Sequence, residues 1–155
     1  MEVSTIPMEE LAEILSLQMA SGGTARLVVT GDSMYPTFRH RKDVVFLQPV
    51  SRALKRGDLI LYKRENGQYV LHRIVTKPKN GAFICCGDNQ WEKEPVKAHQ
   101  VIAVTNGFIR KGKPGNESDF SYRLRVGLWI FLFPVRRPLL ALRRKLGRLR
   151  RKYTL

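Results

Sequence analysis

Three side chains of this sequence have the types that acyl transfer requires. Ser33 sits in Gly31-Asp32-Ser33-Met34-Tyr35-Pro36-Thr37-Phe38, flanked by the strand-like runs Leu27-Val28-Val29 and Val44-Val45-Phe46-Leu47. Gly31 permits a tight turn and Pro36 fixes the exit of the backbone. That is a way to hold one hydroxyl rigidly at the lip of a sheet. A serine nucleophile needs a base to take its proton. His72 lies in Tyr69-Val70-Leu71-His72-Arg73-Ile74-Val75, where strand alternation puts Val70, His72 and Ile74 on one face and Leu71, Arg73 and Val75 on the other. Asp88, in Gly87-Asp88-Asn89 after the next apolar run, is an acid able to hold an imidazole in one tautomer. Each residue also has a plainer reading, as a turn serine, a strand histidine and a turn aspartate. The argument is their conjunction.

The elements that must position them read as mainly β. Candidate strands are 26–30, 43–48, 58–64, 69–76, 82–86 and 100–110, separated by Arg56-Gly57-Asp58, Asn66-Gly67 and Asn80-Gly81. The two Asn-Gly pairs mark hairpins. Short strands with such turns predict a coiled antiparallel sheet or small barrel. A helix is expected over residues 7–20, with Pro7 in its first turn, Met8, Leu11, Ile14, Leu15 and Met19 at helical spacing, and Gly22-Gly23 as its stop. Residues 111–119 read as a linker by composition. The chain therefore divides into a catalytic domain over 1–119, with its core at 26–110, and a tail over 120–155.

A second signal now becomes specific. Gly31-x-Ser33-Met34-x-Pro36-Thr37, Arg56-Gly57-Asp58-Leu59-Ile60-Leu61-Tyr62, His72-Arg73-Ile74-Val75 and Gly87-Asp88-Asn89 occur in the order and rough spacing of the boxes of signal peptidase I. The Ser-Met box alone is also shared with self-cleaving repressors of the LexA type. Most bacterial signal peptidases carry a lysine where this chain has His72, so it resembles the endoplasmic-reticulum type, found also in archaea and some Gram-positive bacteria. The resemblance implies Ser33 as nucleophile, His72 as base and an orienting acid. The favoured acid is Asp88, and the alternative is Glu94 in Glu92-Lys93-Glu94-Pro95, where the family has a second aspartate. The family often has a serine two residues before the nucleophile. Here that residue is Gly31, which leaves the oxyanion to backbone N–H groups, including that of Ser33, or to another donor. Lys42 stands where a glycine is expected before Asp43, and the usual N-terminal membrane anchor is missing.

The charge is concentrated at one end. Of a net +15, residues 121–155 contribute 11 Lys and Arg with no acid, which points to an anionic partner. After the apolar run 126–133 comes Pro134, which breaks it. Residues 135–152 then read as a basic amphipathic helix with Val135, Leu139, Leu142, Leu146 and Leu149 on one narrow face. Arg136, Arg137, Arg143, Arg144, Lys145, Arg148, Arg150 and Arg151 fill the rest. Three uses compete: an anionic membrane surface, with Trp129 and Phe131 at the interface; nucleic acid; or leucines packed on the catalytic domain. The first is favoured.

No apolar run reaches the length of a membrane span, and no secretory signal pattern opens the sequence. The expected location is the cytoplasmic face of a membrane, held peripherally by the tail. Cys85 and Cys86 are sequence neighbours, which bridge poorly, and they show no metal spacing. They read as reduced strand residues, and no metal or cofactor is called for. The favoured function is a serine endopeptidase that cleaves a leader or signal-type peptide. The alternatives are a LexA-like self-cleaving regulator that binds nucleic acid, and a catalytically silent membrane-associated scaffold.

Overall fold

The computed structural model describes residues 13, 15–18, 20–76 and 80–152. Eight strands form the body: β1 (Ala25–Val28), β2 (Val44–Gln48), β3 (Leu59–Lys63), β4 (Tyr69–Ile74), β5 (Ala82–Cys86), β6 (Glu94–Lys97), β7 (Val101–Arg110) and β8 (Lys113–Asn116). Two helices follow, α1 (Phe120–Phe131) and α2 (Phe133–Lys152). Every strand pair is antiparallel. The order is β1-β2-β7-β3-β4-β5-β6, with β8 on β7. The fold is mainly β, as expected, and the sheet is open, with β1 and β6 as its ends.

Alternating residues on β3 and β4 feed two cores. Leu59 and Leu61 face Leu27, Val45, Phe38, Met34 and Phe108 in the larger one. Ile60, Tyr62, Val70 and Ile74 face Cys85, Val96 and Val104 in the smaller. The serine loop is tied into the larger core by its own Met34 and Phe38, both buried. Phe38 meets Phe108 edge-on at 5.5 Å. Leu15 is also buried there, and residues 15–18 are helical. Met8, Leu11, Ile14 and Met19 of the expected helix lie outside the described residues. Cys85 and Cys86 are free and buried.

Two expectations need correction. Residues 111–119 are not simply a linker. Lys111 and Gly112 both take positive φ, 52° and 74°, which reverses the chain so that β8 returns along the end of β7. The apolar run also breaks earlier than expected: residues 126–131 end α1, which begins at Phe120, the break falls at Leu132, and Phe133 starts α2. Pro134 sits inside the first turn of α2, where its missing N–H costs nothing.

The deepest polar feature is an ion pair between β4 and the loop after β5. Arg73 donates from Nε and Nη2 to Asp88 at 2.9 and 2.8 Å, and both residues are buried. The remaining Arg73 donor reaches Gly57 O at 2.9 Å and the Tyr122 hydroxyl at 3.2 Å. Thr37 Oγ1 donates to Asp88 Oδ2, the oxygen that also accepts from Arg73 Nη2, at 2.5 Å. Removing one partner of such a pair strands a buried charge. Asp88→Ala should lower unfolding stability by about 3–5 kcal/mol, read from the urea midpoint. A loss below about 1 kcal/mol, the worth of an exposed pair, would contradict this account.

Candidate active site

His72 is 3% exposed on β4. Tyr62 pairs in register with Val70, two residues away on the same face. This diagonal brings the Tyr62 hydroxyl to 3.2 Å from His72 Nδ1. Glu94 opens β6 opposite Cys85, and its Oε1 also lies 3.2 Å from Nδ1. The Tyr62 hydroxyl donates to the same Oε1. Arg64 grips the carboxylate from outside, Nε to Oε2 at 2.8 Å and Nη2 to Oε1 at 2.6 Å.

This network fixes the tautomer by proton counting. Tyr62 has one proton and gives it to Glu94. Burial alone would push the Glu94 carboxyl upward, but the Arg64 and Tyr62 hydrogen bonds outweigh it and hold it below the ordinary range. Glu94 is thus an acceptor only. Nδ1 must carry the imidazole proton to bond either neighbour, so Nε2 is left with its lone pair. Burial pushes the His72 pKa down. Glu94 opposes this and Arg64 adds to it, and the ring stays neutral below its usual range. Burial and Glu94 both raise the Tyr62 pKa, so its hydroxyl remains protonated.

Ser33 reaches the same cleft from the other wall. Gly31, at φ +76°, turns the chain into the loop, a conformation that a side chain would strain. The loop is then clamped from across the fold. Asn89 N–H donates to Ser33 O at 2.7 Å, and Asn89 Nδ2 to Asp32 O at 3.0 Å. The approach is so close that a Cβ on Gly87 would lie 2.6 Å from Ser33 O. Neither Ser33 Oγ nor its N–H is hydrogen-bonded to another described residue. The cleft, about 780 Å³, is lined by Leu27 to Met34 on one side and Gln68 to His72 on the other, with Arg64 and Gln90 at its margin. Ser33 and His72 share it without a hydrogen bond between them.

The acids separate cleanly. Glu94 is the carboxylate on His72. Asp88, the acid favoured from the sequence, is engaged by Arg73 and Thr37 and forms no hydrogen bond to His72. Tyr62, Arg64 and Gln90 were not named as site residues. The first two were detectable, since alternation from Ile60 carries Tyr62 and Arg64 onto the face that His72 occupies.

The basic residues also sort into two sets. Arg136 is not an exposed anion-binding residue. It is fully buried, stacked on Trp129 at 4.9 Å and Phe133 at 4.4 Å. It donates to Trp129 O at 3.0 Å and lies 3.4 Å from Gly87 O and Gln90 O. Trp129, expected at an interface, instead donates its indole N–H to Asp88 O at 3.0 Å. Arg143 stacks on Tyr35 at 4.0 Å, and Arg137 and Arg144 on Trp91 at 5.8 and 5.1 Å. Lys145, Arg148, Arg150 and Arg151 are exposed. The leucine stripe does not pack on the sheet: Val135, Leu139, Leu142, Leu146 and Leu149 are 41–56% exposed. Among the described residues no helix is long and apolar enough to cross a membrane, and no cluster of three His, Cys, Asp or Glu side chains is placed to hold a metal.

No curated protein and no solved structure matches the chain. A family model described as Peptidase S24-like does, over residues 3–106. That span holds the Ser33 loop, the His72 strand and both candidate acids, and it is more than half of the sequence. The chain therefore belongs to the Peptidase S24-like family, a serine-peptidase-type family.

Proposed function

We propose that this protein is a serine endopeptidase of signal-peptidase type, with Ser33 as nucleophile, His72 as general base and Glu94 as the acid that orients the base. The observation that carries the reading is the proton count at His72. A buried, neutral imidazole with its Nδ1–H committed to Glu94 and Tyr62 presents an unprotonated Nε2 in a cleft shared with a serine.

The steps follow from those atoms. Nε2 takes the Ser33 proton as Oγ attacks the scissile carbonyl. The imidazolium so formed is stabilised through Nδ1–H by the Glu94 carboxylate. The unbonded Ser33 N–H is a donor for the developing oxyanion. His72 then protonates the leaving amine, and water enters by the reverse path to release the acyl group. The substrate backbone has a natural template. β1 ends the sheet, so one of its edges has no strand beside it among the described residues, and Leu27 to Thr30 line the cleft. An extended leader peptide adds there as a further strand. The preference for small residues at the cut rests on the resemblance to signal peptidases.

Support for peripheral membrane association comes from the exposed leucine stripe of α2, flanked by arginine. Phe120, Leu124, Leu128 and Phe131 continue an apolar surface along α1, each more than half exposed. Such a surface suits an anionic bilayer interface. Full-length protein should co-sediment with anionic vesicles and not with neutral ones, and Leu142→Glu/Leu146→Glu should abolish it. Wild-type protein that does not co-sediment would remove the membrane from the reading, and binding that survives the double substitution would remove the leucine stripe as the contact surface.

The catalytic assignment is tested on a library of leader peptides. Ser33→Ala and His72→Ala should abolish cleavage, and Glu94→Ala should slow it by roughly 10²–10⁴-fold. A Ser33→Ala protein that still cleaves, or a Glu94→Ala protein at wild-type rate, would overturn it.

The pH dependence has a defined sign. His72 must be neutral to act, and its folded pKa is lowered. The acid limb of kcat/KM should therefore fall below the usual histidine value of about 6.5. The same shift makes the unfolded chain the stronger proton binder. Stability falls as pH drops below about 6.5 and stops falling on this account below the folded pKa. An NMR titration that places His72 above the ordinary value would contradict both.

A further inference from the structure

The active-site cleft does not end at the nucleophile. At Asp32 it meets a second groove of about 1060 Å³, walled on one side by Asp32, Tyr35 and Asn89 and on the other by α2, including Arg143, Arg144, Arg148 and Arg151. Arg143 and Arg144 are held in place, one stacked on Tyr35 and the other on Trp91, with Arg144 Nη2 3.4 Å from Asn89 O. None of these four arginines forms an ion pair with a described carboxylate. Asp32, at the junction with the cleft, is the one acid on the wall.

Helix geometry separates this groove from most of the apolar stripe. At 100° per residue, Leu140, Arg144, Gly147 and Arg151 fall on the side of α2 that carries the buried Arg136. Val135, Leu142 and Leu149 fall 100° or more away on the other side, and Leu139 and Leu146 lie on the rim between, Leu146 lining the groove itself. A flat lipid surface seated on Val135, Leu142 and Leu149 faces away from Arg144 and Arg151. A flexible extended chain reaches them, and a chain lying in the cleft has the groove directly ahead of it.

We propose that this groove is a second substrate site, which binds an acidic segment of the peptide on one side of the bond cleaved at Ser33. The inference rests on the peptidase reading for its substrate. Guanidinium groups match carboxylates in geometry and charge, and Arg143, Arg144, Arg148 and Arg151, facing a single wall acid, gain from an anionic chain. The site selects among peptides that fit the cleft equally well.

Binding is measured on full-length Ser33→Ala protein with fluorescein-labelled hexaglutamate at near-physiological salt. Arg148→Glu/Arg151→Glu should weaken binding by at least about tenfold, the sum of several modest charge contacts. Lys113→Glu/Lys145→Glu changes net charge equally but outside the groove, and should change binding less than about threefold. Equal losses in the two doubles, or no loss in the first, overturn the proposal. So does an Arg148/Arg151 double that loses anionic vesicles while keeping hexaglutamate, which would give these arginines to lipid. In the wild-type background, library peptides with an acidic flank should be cleaved with higher kcat/KM than neutral ones, and the groove double should remove that advantage. Cleavage with no acidic preference overturns the groove and leaves the peptidase. Groove-specific hexaglutamate binding without turnover of any peptide leaves the groove and overturns the peptidase.

Discussion

The buried pair of Arg73 and Asp88 is the constraint on which the candidate site depends. Arg73 follows His72 on the same strand, and Asp88 lies beside the residue that clamps the serine loop. One ion pair thus links the strand of His72 to the loop that clamps Ser33. It survives burial because its donors are used: Asp88 takes two, and Gly57 O and Tyr122 share the third. A pair with any of these missing would cost more in desolvation than it returns. A carboxylate committed to a guanidinium in this way is poorly suited to orient an imidazole as well. The carboxylate that does meet His72 is Glu94, which arrives from β6 at the far end of the sheet.

Much of this was legible in sequence because it is local. Ser33 and its turn, the alternation around His72 and the Asn-Gly hairpins each occupy a few consecutive residues, and a short window shows their physics. The six expected strands coincide with β1 to β5 and β7 to within a few residues. What escaped is what depends on register. Whether Asp88 or Glu94 meets His72 turns on where β6 docks on β5, and no local pattern states that. β8 escaped because Lys113-Pro114-Gly115-Asn116 has the composition of a loop and pairs only because β7 runs on past β3.

The tail illustrates a different limit. Charge density and leucine spacing describe a helix in isolation, and both were read correctly as periodic features. They do not say which arginine is inside. Arg136 is enclosed because Trp129 and Phe133 offer it two ring faces and three backbone carbonyls lie within reach. That environment is assembled from α1, α2 and the Gly87–Gln90 loop together. An amphipathic count treats Arg136 and Arg148 alike, although one is a structural brace and the other faces solvent.

The brace has a consequence for the order in which the protein is made. The Gly87-Asp88-Asn89 loop that clamps Ser33 is itself held by Trp129 and Arg136, which emerge from the ribosome some forty to fifty residues later. The sheet can pair before either has been synthesised. The Ser33 loop acquires its last supports only when α1 and the start of α2 have docked. During translation the sheet therefore precedes the completed cleft, and a nascent chain that ends before Trp129 holds Ser33 less firmly than the finished protein does.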